Sequence, residues 1–421
     1  MLPPPVRFGL KSKSEGWLSK QFRNQVDSFQ GQGSGQGWKS LLGNFGRSLI
    51  SFDSVLYTAP EEPGTYRVTA GSEGHTVSLD LKVTLSAPSR KTKEKTSFRP
   101  ESGSREPYRA LAAHWAPMVA QATWFEPKAD YLARFDFDGD WKGDNNWENT
   151  AAGSSQAYVY YAAVETETHW FLIYNFFHPR DYSANCVGGT CHENDNEGLI
   201  LTILKDGTSS GGLQVMETLA HDNIYSYRAD KRVKKRAHKV DGRVEFYQET
   251  HPVVFIESGG HGVFGSTDRH SKFSLRRHEF RETTGVTYIY GSRAGQPRHG
   301  NDRAVSYELL PILGHWWRRG SDGAGTFAGD FRYQPYGKRP AASRSALPAA
   351  FNGRKFGKNK AKPFWSWHDR RTRKKKILAT GQWGLDPAYG VSRNLKLPQP
   401  FSLTYIYNPY LKIGQGGRNQ P

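Results

Sequence analysis

The chain has 421 residues, of which 36% are hydrophobic and 13% aromatic, with 44 Gly, 23 Pro and a formal charge of +18. That length exceeds one ordinary core and allows two or three units. A mean hydropathy of −0.71, with no apolar run near the roughly 20 residues that span a bilayer, argues against an integral helical membrane protein. The positive charge suits polyanions in general: nucleic acid, an anionic membrane surface or an acidic glycan.

Residues 1–50 are rich in Gly, Ser, Gln and Lys and read as linker or partly disordered chain. The first residues lack the basic, apolar, small-residue succession of a signal peptide. From 51 to 86 the text changes to VLYTAP, a turn at Glu61 to Gly64, then TYRVTA and HTVSLDLKVTL, whose alternation predicts antiparallel strands. This stretch resembles the C-terminal half of bacterial immunoglobulin-like repeats, which implies a spacer module. Residues 87–107 are charged and predict a linker.

The main unit is expected over 108–421. Short Tyr, Val, Phe and Thr runs separated by Gly, Asn and Asp outnumber helical periodicities, so the expected class is mainly β, with surrounding loops and short helices. Basic stretches at 228–239, 269–281 and 370–376 read as solvated surface, and no DNA- or RNA-binding motif accompanies them. The acidic loop RFDFDGDWKGDNNWEN places Asp136, Asp138, Asp140 and Asp144 at intervals that suit a calcium loop. It lacks a Glu at the twelfth position, and an Asx-rich turn is the competing reading. Trp316, Trp317, Trp365 and Trp367 beside basic residues would suit a membrane interface or a carbohydrate, or else the core.

The densest chemistry follows. Ala157 to Val164 and Trp170 to Phe177 predict adjacent strands, and Gly198 to Leu204 a third. Between the second and third lie Asp181, His192, Asp195 and Glu197. Carboxylates with one imidazole suit Mg, Mn or Ca, and positions 195 and 197 share a face if the strand begins there. Cys186 and Cys191, the two cysteines of the chain, bracket Gly-Gly. A disulfide between them would fit an oxidising compartment, and two reduced thiols is the other reading.

Phe177, His178, Pro179, Arg180, Asp181, followed by His192, Asp195 and Glu197 in H-x-x-D-x-E spacing, resembles the signature of necrosis- and ethylene-inducing-peptide-like proteins. The same spacing occurs in a family of vacuolar-protein-sorting-associated proteins. The resemblance implies a β-sandwich core, a divalent-cation site formed by those four residues, and an extracellular or cell-surface location. TLAHDNIYSY and HPVVFIESGGHGVF extend it, implying that His221 and His261 sit behind the site or face a ligand. Where that family's heptad carries Arg, a second His and Trp, this chain has Glu193, Asn194 and Asn196, and Cys191 replaces its Gly. What carries over is therefore the fold and the cation site more than the toxin activity.

Three functions follow as expectations. The first is a cation-dependent protein that binds a glycan or lipid headgroup, including cytolytic action at an anionic membrane. The second is a metal-dependent hydrolase using His221 or His261 as base. The third is a structural or adhesive module. No nucleophile elbow, HExxH or Walker motif is present to support another route to hydrolysis.

Overall fold

The computed structural model describes the backbone of strands within 1–107 and, in the main unit, residues 108–186, 191–265, 280, 284–320, 325–333, 346–354, 361–371 and 378–414. The chain divides into two compact units, Met1–Glu94 and Lys95–Pro421. In the first, β1 (Arg7–Lys11), β2 (Gly64–Ser72) and β3 (His75–Val83) form an antiparallel sheet in that order. The β2–β3 hairpin follows the alternation read from the sequence. Strand β1 lies inside the span expected as linker, because RFGLK alternates for only five residues and gives too short a signal. Residues 51–63 and the basic stretch 269–279 lie outside the described residues.

The second unit is built on one sheet of 13 strands. Its members are β4 (Met118–Ala122), β5 (Tyr158–Thr166), β6 (His169–Asp181), β7 (His192–Leu204), β8 (Gly212–Ala220), β9 (Asn223–Arg228), β11 (Gly242–Arg243), β12 (Phe246–Tyr247), β13 (His251–Ile256), β14 (Val263–Gly265), β15 (Gly285–Tyr290), β16 (Val305–Pro311) and β20 (Tyr405–Tyr407). The order is β11-β9-β8-β7-β6-β5-β16-β15-β4-β13-β12, with β14 on β13 and β20 on β5. Two small pairs flank it: β10 (Lys234–Lys235) with β19 (Leu395–Lys396), and β17 (Phe327–Arg332) with β18 (Ala346–Phe351).

The sheet curls so that its two halves face one another, giving the β-rich core that was expected as a sandwich. Leu172, Tyr174 and Leu201 from β6 and β7 share one apolar cluster with Val254, Val286 and Tyr288 from the far half. The opposite face of β5 to β8 is covered by the C-terminal third, where Phe171, Ile173 and Ile200 meet Trp316, Trp365, Trp367 and Trp383. Strands buried on both faces bear apolar residues at every position, which is why FLIYNFF and LILTIL read as runs instead of alternations. Trp367 packs so closely on β7 that a Cβ at Gly198 would lie 2.6 Å from its ring and 2.0 Å from the Tyr174 carbonyl. Trp316, Trp365 and Trp367 are 0%, 0% and 1% exposed, so the interface role that the sequence allowed them is closed by burial.

Helices are short: α1 (Arg109–His114), α2 (Pro127–Asp130), α3 (Asn146–Asn149), α4 (Gln382–Leu385) and α5 (Pro387–Asn394). Among the described residues none is long and apolar enough to cross a membrane.

Candidate cation site

The site forms where β6 ends and β7 begins. Antiparallel register places Asp181 opposite His192 and His178 opposite Asp195. Asp195 and Glu197 share a face of β7 by the two-residue repeat, and that repeat would send His192 to the other face. Asn194 interrupts the pleat with φ 59°, a left-handed conformation that Asn tolerates better than most residues. Its side-chain amide is turned away from the site, where it donates to the carbonyls of Gly143 and Asn352 and accepts from Asn146. The kink lets residues of both parities gather at one strand end.

His192 lies 2.8 Å through Nδ1 from the Asn194 carbonyl and 3.1 Å from that of Glu193. A carbonyl accepts only, so Nδ1 carries the proton. Nε2 points at Asp181 Oδ2, 3.4 Å away. A histidine whose far nitrogen is fixed by a backbone carbonyl is oriented as metal ligands commonly are. Burial opposes charge on this ring, but the neighbouring Asp181 and Asp195 outweigh it and raise its pKa. Asp181 is itself raised, by burial and by the charge of Asp195.

Asp195 accepts through Oδ2 from His261 Nδ1 at 2.9 Å and through Oδ1 from the Asn196 amide at 2.9 Å. Glu197 Oε1 accepts the His221 amide at 2.7 Å, while its Oε2 is buried with no hydrogen-bond partner. Burial holds this carboxyl well above its ordinary range, and the charges of Asp195 and Glu257 add to the shift.

His221 and Asp222 form the two-residue turn between β8 and β9, with φ 50° and 63°, as a tight hairpin of the type I′ class requires. The His221 side chain is 52% exposed. Its Nε2 contacts Glu257 Oε1, and its Nδ1 lies 4.0 Å from Glu197 Oε1. Burial lowers its pKa, but the Glu257 hydrogen bond and the surrounding carboxylates raise it on balance to about 10. Gly260 closes one side: a Cβ there would stand 2.9 Å from His221 Cε1 and 3.8 Å from Asp181 Oδ2.

His261 is fully buried, with Nδ1 on Asp195 and Nε2 3.2 Å from Asp130 Oδ1. Burial disfavours its charge, yet two carboxylates outweigh that and raise its pKa to about 10. Both nitrogens therefore donate, and no lone pair remains for a base. Its ring stacks on His178 at 3.8 Å, whose own pKa burial and the His261 charge press well below the ordinary value. Asp130 also accepts from Tyr182 Oη at 2.6 Å, Gly259 N at 2.8 Å and Trp124 N at 2.9 Å. Asp130 and Glu257 are the members that sequence reasoning missed. Glu257 directly follows β13, four residues before His261 in the HPVVFIESGGHGVF segment already singled out, a signal that was available, whereas Asp130 lies in a motif-free single turn.

The four expected ligands thus lie at one strand end, but only Asp181 and His192 touch. Among the described residues, no group of three or more His, Cys, Asp or Glu is assembled around one point as a metal cage. The donors fit a hard divalent cation in kind: three carboxylates, one oriented imidazole, and one buried carboxylate oxygen without a partner. Cys186 and Cys191 are joined as a disulfide directly before His192.

The acidic loop does not converge. Asp136 forks onto Arg134 at 3.0 and 2.8 Å, Asp138 takes Asn149 at 2.7 Å, Asp140 takes Asn145 at 3.0 Å and the Lys142 amide at 2.7 Å, and Asp144 pairs with Arg354 at 2.7 Å. Each carboxylate has its own partner, an arrangement that matches the Asx-rich turn, the competing reading of this loop.

No protein-family model matches the sequence, and no curated protein does. Among solved structures the chain is similar to one described as "Toxin fold for microbial attack and plant defense", with 15% identity over 51% of this chain and 77% of that one, TM-score 0.26. It is also similar to necrosis and ethylene inducing protein 2 from the causal agent of cocoa's Witches Broom disease, at 12% identity over 54% and 92%, TM-score 0.23. A third is NLPPya in complex with glucosamine, at 17% identity over 40% and 71%, TM-score 0.25.

Proposed function

We propose that this chain binds a divalent cation (Mg, Ca or Mn) through Asp181, His192, Asp195 and Glu197 and uses that corner to hold a glycan or lipid headgroup outside the reducing cytosol, as a lectin or a cytolysin would. The observation that carries the reading is the Glu197 Oε2 atom, buried without a donor beside the charge of Asp195. Burying an unpaired carboxylate is costly, and here Asp181 and Glu197 are both pushed toward the neutral form. A divalent cation would stabilise the ionised forms and, with open coordination positions, would accept hydroxyl or headgroup oxygens. The Cys186–Cys191 disulfide suits an oxidising compartment. His261 has both ring nitrogens committed to carboxylates, Asp195 and Asp130, which leaves it no free lone pair as a base and favours binding over hydrolysis.

The test is calorimetric titration of Mg, Ca and Mn into the wild type and Asp195→Ala, with sedimentation against glycosylated and anionic liposomes with and without chelator. Saturation at about 100 times the dissociation constant should stabilise the wild type by about 2.7 kcal/mol and leave the variant unmoved. Liposome binding that ignores both chelator and substitution would defeat the proposal.

A further inference from the structure

One residue beyond His221, the same hairpin tip carries a second group of charges. Asp222 Oδ1 accepts from Lys362 Nζ at 2.6 Å and lies 3.4 Å from His368 Nδ1, while Arg370 Nη2 lies 3.3 Å from its Oδ2. Two permanent cations thus share one carboxylate, and the cluster is net positive even with His368 neutral.

The base of the cluster is fixed. The Lys362 carbonyl accepts from Asn196 Nδ2 at 2.8 Å and from the indole of the buried Trp367 at 3.0 Å, and the Arg370 amide donates to the Asp222 carbonyl at 2.6 Å. The heads differ in exposure: the Arg370 side chain is 59% exposed, whereas that of Lys362 is 25% exposed and its Nζ also lies 3.1 Å from His368 Nδ1. A guanidinium has five donors and an ammonium three. Among the described residues Asp222 is the acidic partner of both, so most of the Arg370 fork is unused. The nearby Arg371 differs, since it spends its fork on Asp241 at 3.0 Å and on the Ile224 carbonyl at 2.6 Å.

From this juxtaposition we infer that Lys362 and Arg370 form an oxyanion subsite that accepts a phosphate group, with Asp222 as the resident carboxylate against which the anion competes. The inference goes beyond the cation reading: it uses none of those four residues and is indifferent to chelator. Phosphate is the favoured chemistry because a planar fork and a compact ammonium around one point match a tetrahedral oxyanion.

Inorganic phosphate is titrated by calorimetry, in chelator, into the wild type, the Lys362→Met/Arg370→Gln double variant, Asp222→Asn, and Arg232→Gln as a control for an exposed arginine elsewhere. The double variant should bind phosphate about tenfold more weakly or worse, the loss expected for charge-assisted hydrogen bonds, and the control should match the wild type. Asp222→Asn should bind about tenfold more tightly, because it removes the competing charge at a left-handed position that Asn tolerates. A purely structural salt bridge predicts no such gain. Sedimentation with phosphatidic-acid vesicles against phosphatidylcholine vesicles then assigns the source: retention reversed by free phosphate indicates a lipid phosphate, and phosphate binding without retention indicates a soluble one. Equal affinity in the wild type and the double variant, or no binding in both the wild type and Asp222→Asn, overturns the inference.

Discussion

Two corners of the main unit are made of the same residue types and behave differently. Beneath the C-terminal third, Glu217 accepts from Ser226 Oγ at 2.9 Å and Asn394 at 3.0 Å on one oxygen and from the Trp383 indole at 2.8 Å on the other. His238 stands 4.0 Å from it and 2.8 Å from Asp369. Ser226, His238 and Asp369 include the residue types of a nucleophilic triad, but Ser226 is 0% exposed and gives its proton to Glu217. At the end of β6 and β7 the carboxylates and imidazoles are more open, with the Asp181 side chain 19% and that of His221 52% exposed, and Glu197 keeps an oxygen without a donor. In the first network both oxygens of the Glu217 carboxylate are answered from within the chain. In the second, one oxygen of Glu197 is buried without a donor, and the proposed cation would answer it.

That contrast breaks first at Glu217. Glu217→Ala leaves Trp383, Asn394 and Ser226 as buried donors without an acceptor and should cost about 3 to 5 kcal/mol in urea unfolding, as removing one partner of a buried charged network does. Cation titration of the folded fraction should be unchanged. A loss below about 1 kcal/mol would show that the sealed network is not what fastens the C-terminal third to β8 and β9.

A smaller effect separates the two through pH. His261 has its folded pKa raised from 6.5 to about 10. A cation stabilised by folding contributes stability that is full below 6.5 and is lost as pH rises through about 10. His221 shifts in the same direction. In chelator the melting temperature should therefore fall between those limits, and less steeply in His261→Gln, where the His221 contribution persists. Equal slopes in the two proteins would mean that the Asp195–His261–Asp130 bridge carries no net charge coupling.

How much of this was legible follows from range. The pairing of β5 with β6 and the apolar half of β7 are local consequences of apolar runs, whereas β7 begins at His192, ahead of the expected Gly198, and the H-x-x-D-x-E spacing located the strand end. The curl of the sheet was not legible, because Val254 and Tyr288 meet Leu172 only through contacts far apart in the chain. Asp130 was hidden for the same reason: its four donors come from residues 124, 182, 259 and 261. The Asn194 kink was hidden too, because Asn gives no period of its own, and without it the spacing sends His192 to the wrong face. For the tryptophans the sequence left surface and core both open. Basic neighbours in sequence suggested a surface, whereas the apolar back of β5 to β8 required a cover and took them.

The smallest expected effect tests spacing itself. Asp136, Asp138, Asp140 and Asp144 sit at intervals as suggestive as those of the strand-end residues, yet each meets a separate donor within its own loop or on Arg354. Local pairing of this kind lets a turn hold many carboxylates without a cation, since every oxygen set is answered by an amide, a guanidinium or a backbone N–H. Asp138→Asn keeps an oxygen for the Asn149 amide and removes one charge. It should change stability by less than about 0.5 kcal/mol and leave every cation isotherm superimposable on the wild type. Asp195→Ala, by contrast, should abolish them. If Asp138→Asn weakened cation binding instead, the loop and not the strand end would be the cation site, and the orphaned oxygen of Glu197 would need another explanation.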